Sequence, residues 1–232
     1  MYLNIKMLED FRTLKQGDEF NFDFSKHPEI LIAGDNGCGK STLVNVIRDY
    51  QCDNSKDDPN AVYQTKLGYC DIRGFKNKVE ISTDFTRFYF ISAEFDDPTS
   101  LNNSASAEAL LENGGFQTKR MSTGQRGLAM LSKWLEENKE HWDEKTLLVF
   151  DEVDKGFDLS RQVGMSNMYR NLHKKFNVSI LAVTHTIFPI LAREEMFYFE
   201  FRKMVSSKFY CWMKTGYNIT AEKLEENERK ED

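Results

Sequence analysis

Glu29-Ile-Leu-Ile-Ala-Gly34-Asp35-Asn36-Gly37-Cys38-Gly39-Lys40-Ser41-Thr42 decides how this chain folds. Its first six residues are a short, continuous apolar run ending in glycine, the pattern of a strand covered on both faces in a parallel sheet. After Gly39 the period changes: Leu43, Val46, Ile47 and Tyr50 recur at i, i+3, i+4 and i+7, which predicts an amphipathic helix. Between strand and helix, residues 34–41 fit G-x-x-x-x-G-K-[S/T], in the one context that motif requires. Glycines let the backbone wrap closely around phosphates, its amides point inward, and a helix N-terminus favours an anion. Lys40 is placed to neutralise β/γ-phosphate charge and the Ser41 hydroxyl to ligate Mg²⁺. Gly34, Asp35, Asn36, Gly37, Cys38, Gly39 and Thr42 supply the rest of the cradle. A chance glycine-rich turn is the alternative, but the four fixed positions coincide in a chain this size only about one time in a hundred.

Outward from this stretch, the apolar runs repeat. Thr146-Leu-Leu-Val-Phe150 ends in Asp151-Glu152, and Ser179-Ile-Leu-Ala-Val183 ends in Thr184-His185. In a chain with a phosphate cradle, Asp151 is the natural water-mediated partner of Mg²⁺ beside Ser41. Glu152, one residue past the strand, is placed to polarise an attacking water. The alternative for both is a pair of surface acids capping a strand. Past Asp158, residues Met165, Met168, Tyr169, Leu172 and Phe176 again follow helical spacing. Strand–helix alternation of this kind predicts an α/β fold with a mostly parallel central sheet.

Other segments read differently. Phe20, Phe22 and Phe24 alternate with Asn21 and Asp23, and residues 2–8 precede them across a Lys-Gln-Gly-Asp turn at 15–18. This predicts an N-terminal antiparallel pair with one wet face. Residues 93–145 read as a helical lobe, with helices over 104–113 and 124–140. Residues 51–60 read as a polar loop, and 196–201 with 208–213 as a hairpin. Residues 1–220 are expected to form a single unit, followed by a charged tail at 221–232. No internal repeat is apparent.

Composition narrows the function classes. With 40% hydrophobic and 29% charged residues, the 232-residue chain is an ordinary globular protein rather than a disordered one. No apolar run approaches the ~18 residues of a membrane span, and the N-terminus lacks a signal-peptide pattern, so a cytoplasmic protein without membrane insertion is expected. Four scattered cysteines without a C-x-x-C pair point to reduced thiols rather than disulfides or zinc. A net charge of −6 excludes a wholly basic nucleic-acid-binding surface but not a local patch. Lys66, Arg73, Lys76 and Lys78, interleaved with Tyr63, Tyr69 and Phe75, and Arg202, Lys203, Lys208 and Lys214 near the end are candidate contacts for nucleic acid. The alternative for each cluster is the wet face of a strand pair.

Together, these motifs resemble the ATP-binding cassette superfamily of ATPases. Met121-Ser122-Thr123-Gly124-Gln125 resembles the signature of that family, LSGGQ, with Thr123 replacing its first glycine, and lies 24 residues before the strand that starts at Thr146. The resemblance implies ATP and Mg²⁺ as ligands and an ATP-dependent homodimer. In it, Ser122, Gly124 and Gln125 meet the nucleotide held by the other subunit; a helix N-cap role for Ser122 is compatible with that. Asp154-Lys-Gly156-Phe-Asp158 resembles the loop that crosses the dimer interface, and His185 stands where the family's switch histidine touches the γ-phosphate. The glutamine expected after the strand at 86–92 is missing; Glu94 is the nearest polar substitute.

Asp10-Phe11-Arg12-Thr13-Leu14 before the cradle resembles the opening of SMC-, Rad50- and RecF-type heads, and implies an approach of Arg12 to the nucleotide phosphates. The alternative is a solvated arginine in a turn. Lys40 and Ser122 are 82 residues apart, which leaves no space for a long coiled coil. The expected function is a nucleotide-driven switch in DNA maintenance, phage biology or anti-phage defence, acting with a separate effector protein. The alternatives are the ATP-binding subunit of a membrane transporter and an ATP-gated interaction module with little turnover.

Overall fold

The computed structural model describes residues 1–34, 37–54, 77–92, 123–154, 157–184, 195–199 and 202–206. In chain order the elements are β1 (Tyr2–Met7), β2 (Glu19–Asp23), β3 (Glu29–Ala33), α1 (Lys40–Asn54), β4 (Val79–Thr83) and β5 (Arg87–Ser92). There follow α2 (Thr123–Asn138), β6 (Thr146–Asp151), α3 (Leu159–Phe176), β7 (Ser179–Val183), β8 (Glu195–Tyr198) and β9 (Lys203–Ser206). Among the described residues they form two sheets: one of order β2-β1-β4 and one of order β5-β6-β7-β3-β8-β9. The larger sheet is parallel except for the antiparallel β8–β9 pair. This is the P-loop α/β fold expected, with an antiparallel N-terminal subsheet.

The uninterrupted apolar runs have their expected cause. Every residue of β6 and of β7 is buried. Alternate side chains go to opposite faces, as the pleat requires. Ile30, Ile32, Leu147, Val149, Leu181 and Val183 join a core with Leu43, Val46 and Ile47 of α1 and Phe20, Phe22 and Phe24 of the N-terminal subsheet. Leu31, Leu148, Phe150, Ile180 and Ala182 join a second core with Leu131 of α2 and Met165, Tyr169 and Leu172 of α3. Helix α3 starts and stops for a local reason. Asp158 caps α3 by accepting the Arg161 N–H at 3.0 Å, and Asn177 closes it in the left-handed conformation.

The structure departs from the sequence reading in three places. Helix α1 continues to Asn54, where residues from 51 onward were expected to form a polar loop. A third strand, β4, pairs with β1 from Met7↔Val79 to Leu3↔Thr83; its short Val-Glu-Ile-Ser-Thr alternation is the signal that reveals it. In the final hairpin, β8 pairs with β9 at Lys203–Ser206, not with a strand at 208–213. Between them, the Arg202 N–H donates to the Phe199 carbonyl at 3.1 Å. Residues 208–213, the helix expected over 104–113 and the tail lie outside the described residues. Within the expected helical lobe, α2 runs over Thr123–Asn138, close to the 124–140 expected.

Phe150 is fully buried and lies against Tyr169, with ring centroids 5.0 Å apart. Phe150→Ala is expected to cost about 3–5 kcal/mol through lost burial and a residual cavity, measured by urea unfolding against the wild-type chain.

Candidate functional site

Parallel pairing decides where the functional side chains leave the sheet. Val183 of β7 stands beside Ile32 of β3 on one side and Asp151 of β6 on the other. Two hydrogen bonds extend the alignment: Glu152 N–H to the Val183 carbonyl at 3.0 Å and Thr184 N–H to the Ile32 carbonyl at 3.2 Å. Gly34, Glu152 and Thr184 therefore emerge together at the carboxyl end of the strands, where open α/β sheets bind their ligands.

On one side of this edge lies the glycine-rich loop. Lys40 opens α1, and its ammonium folds back to donate to the Gly34 carbonyl at 2.8 Å, with the Cys38 sulfur 3.8 Å away. A Cβ on Gly39, where φ is +111°, would lie 2.4 Å from Thr13 Oγ1 and 3.2 Å from Leu14 Cδ2. Only glycine lets the loop pass beneath the turn at 11–14. That turn is closed by reciprocal backbone bonds between Phe11 and Leu14, both 2.9 Å. Arg12 sits in it at φ +52°, exposed, with its guanidinium 5.4 Å from the Phe11 ring centroid.

Facing the loop are acids that are not surface caps. Lys40, Asp151, Glu152 and Asp154 are 3%, 6%, 7% and 3% exposed. The Ser41 hydroxyl donates to Glu152 Oε1 at 3.5 Å, so cradle and acid pair meet across β7. Glu152 adopts φ +54°, a strained backbone of the kind that collects at functional sites. Behind it, buried Thr184 donates to Asp154 Oδ2 at 2.7 Å. The sequence reading assigned no role to Asp154 or Thr184 individually; their only signal is position, two residues after Glu152 and one before His185.

The Ser41 hydroxyl beside the Glu152 carboxylate, with Asp151 buried at the end of β6, supplies hard oxygen donors of the kind that suit Mg²⁺. Among the described residues no group of three or more His, Cys, Asp or Glu could hold a metal ion by itself.

Several expected site residues are placed elsewhere or not at all. Asp35, Asn36, Ser122 and His185 lie outside the described residues, as do Glu94, Lys66, Arg73, Lys76, Lys208, Lys214, Tyr63, Tyr69 and Phe75. Gly124 and Gln125 fall in the first turn of α2. Asp158 caps α3 and also pairs with Arg161 at 3.0 Å. Lys78 lies 3.8 Å from the Glu9 carboxylate. Arg202, expected on a basic hairpin surface, instead turns inward against Phe199 and Phe20, at 4.3 and 5.0 Å from their ring centroids.

Residues 7–160 match the sequence profile of a family described as an AAA domain. A curated relative, the zinc import ATP-binding protein ZnuC of Vibrio parahaemolyticus, is 24% identical over 180 residues, covering 77% of this chain and 64% of its own. ZnuC of Mannheimia succiniciproducens is 28% identical over 200 residues, covering 82% and 67%. The chain thus spans about two thirds of the length of these relatives. A solved metal-chelate type ABC transporter in an inward-facing conformation aligns with a TM-score of 0.52 at 19% identity, covering 89% of this chain and 83% of that one. That likeness is one of fold.

Two outcomes follow from the packing of the loop and its flank. Gly37 has φ +77° but open space around it, so Gly37→Ala should cost only the left-handed penalty of about 1–2 kcal/mol. Gly39→Ala adds the clash with Thr13 and should cost clearly more in the same urea titration. Thr184→Val removes one donor from a buried carboxylate and is expected to cost about 1.5–3 kcal/mol, with Thr184→Ser recovering most of it.

Proposed function

The chain belongs to the AAA-domain family, among the ATPases of the ATP-binding cassette superfamily, and from that premise we propose that it is a Mg²⁺-dependent ATP hydrolase that dimerises head to tail around two nucleotides. The observation that carries this reading is the convergence of Lys40 and Ser41 with Asp151 and Glu152 at one sheet edge, with Ser41 Oγ 3.5 Å from Glu152 Oε1. Lys40 and the loop amides hold the β- and γ-phosphates. Mg²⁺ would supply positive charge that neutralises the phosphates as negative charge develops on them. Ser41 would hold it directly and Asp151 through a water. Glu152 accepts a proton from the water that attacks the γ-phosphorus, as the bond to the leaving β-phosphate oxygen breaks. His185 meets the γ-phosphate from the end of β7. Ser122, Gly124 and Gln125 act on the partner's nucleotide, Asp158 lies at the interface between the two heads, and Arg12 approaches the phosphates from the 11–14 turn. Hydrolysis then opens the dimer, so the output is a conformational switch.

The relatives shift the reading of what that switch drives. Those named above are zinc import ATP-binding proteins, which supports a cytoplasmic subunit coupled to a membrane transporter over a role in DNA maintenance or defence. Among the described residues no helix is long and apolar enough to cross a membrane. One observation keeps the second reading, a head of SMC-, Rad50- or RecF-like type acting with a separate effector: the turn at 11–14 packs directly on the cradle through Thr13 and Gly39.

Glu152→Gln is expected to trap an ATP–Mg²⁺ dimer in size-exclusion chromatography, and Lys40→Ala to abolish hydrolysis. The wild-type rate of ATP hydrolysis should rise with the square of protein concentration in the dilute range. A Glu152→Gln chain that stays monomeric, together with unchanged activity in Lys40→Ala, would sink the mechanism. Stimulation by DNA would favour the effector reading; co-purification with a membrane protein would favour the transporter.

A further inference from the structure

We propose that Phe199 and Arg202 form a clamp that sets the shape of the phosphate-binding loop, Phe199 as the surface the loop is moulded on and Arg202 as the brace that holds it; this rests on the reading of residues 34–41 as a phosphate cradle. Phe199 is fully buried directly after β8. A Cβ on Gly34 would lie 3.1 Å from Phe199 Cβ and 3.7 Å from its backbone nitrogen, and one on Gly39 3.4 Å from Phe199 Cε1. The two glycines that bracket the loop therefore rest on one residue, far away in sequence.

Phe199 is held from several directions. Its ring stacks on Phe20, with centroids 5.2 Å apart and planes 24° from parallel. The Arg202 guanidinium lies 4.3 Å from the Phe199 centroid and 5.0 Å from that of Phe20. One guanidinium nitrogen of Arg202 donates to the Phe199 carbonyl at 2.7 Å and another to Asp18 Oδ2 at 3.2 Å. The arrangement uses both properties that separate arginine from lysine, a planar face and a fork of donors.

The backbone makes the choice of residue informative. Arg202 has φ +50°, a conformation in which glycine is the ordinary occupant of a hairpin turn. Arginine there is explained by what its side chain does. Asp18, Phe20, Phe199 and Arg202 join the N-terminal subsheet and the final hairpin on the underside of the cradle. Neither Phe199 nor Arg202 is assigned a contact with nucleotide. They act through the loop, whose amides must converge on the phosphates within a fraction of an ångström.

The loop carries its own reporter. The Cys38 sulfur lies 3.0 Å from the Gly34 Cβ position, in the same crowded spot. The test compares wild type, Phe199→Ala, Arg202→Gly and Arg202→Lys by ATP kinetics and by the rate of Cys38 alkylation with iodoacetamide, followed by peptide mass spectrometry without nucleotide. Loosening the loop should raise KM for ATP roughly tenfold in Phe199→Ala and about threefold in Arg202→Gly, with kcat changed less than about twofold. Cys38 alkylation should accelerate in both, and Arg202→Lys, which keeps the charge facing Asp18, should fall between wild type and Arg202→Gly. Folded variants with wild-type KM and wild-type alkylation would overturn the clamp. If Phe199→Ala fails to fold, Arg202→Gly decides, because glycine suits that φ. If wild type hydrolyses no ATP, the enzymatic reading fails and the alkylation rates alone judge the clamp.

Discussion

The site depends on a single constraint: β7 is hydrogen-bonded on both sides, to β3 and to β6. Each neighbour ends in one half of the chemistry, the glycine-rich loop after β3 and the acids after β6. With the strands parallel and in register, both halves must leave the sheet at the same end and level. A one-residue slip of β6 would turn Leu148 and Phe150 toward α1 and expose the wrong face to α3. The register is thus enforced by two-sided burial, with alternating side chains divided between two cores. The 3.5 Å approach of Ser41 to Glu152 is a consequence of that packing.

Burial also sets the electrostatics. One lysine and three carboxylates, Asp151, Glu152 and Asp154, are almost wholly removed from solvent at the same edge. Buried charges are costly unless they are paired and hydrogen-bonded, and part of that cost is met within the chain. The Gly34 carbonyl accepts from Lys40, and Thr184 and Ser41 donate to the acids. On the proposed function, a divalent cation and a polyphosphate would bring opposite charges to the two sides, the phosphates toward Lys40 and the metal toward Ser41 and Asp151. That reading explains how a glycine-rich loop and a cluster of acids can share one edge.

What was legible in the sequence follows from the range of the interactions involved. The runs 29–34, 146–150 and 179–183 announced buried parallel strands because two-sided burial puts apolar side chains at successive positions rather than at every second one. The glycine-rich loop was legible because Gly34, Gly37, Gly39 and Lys40 lie close together in the chain. Strand β4 was missed because a five-residue edge strand with Glu80 and Ser82 on one face carries little pattern. The partner of β8 was misplaced for a related reason: residues 208–213 are the more aromatic stretch, but the turn braced by Arg202 selects 203–206. Asp154 with Thr184, and Phe199 with Gly34 and Gly39, are contacts between residues far apart in the chain, and no local pattern encodes them.

Backbone strain shows where those long-range contacts concentrate. Four non-glycine residues among those described have positive φ: Arg12, Glu152, Asn177 and Arg202. Asn177 is an ordinary helix C-cap. The other three surround the cradle, and each is pinned by something outside itself. Arg12 is held by the reciprocal Phe11–Leu14 bonds, Glu152 by the Val183 carbonyl, and Arg202 by two phenylalanine rings and Asp18. A strained conformation persists only where its surroundings over-determine it. The N-terminal turn, the acid-bearing strand end and the final hairpin are thus each locked independently, and the glycine-rich loop lies where all three meet. A loop with little conformational preference of its own takes its shape from rigid neighbours, and in this chain those neighbours come from both ends of the described sequence.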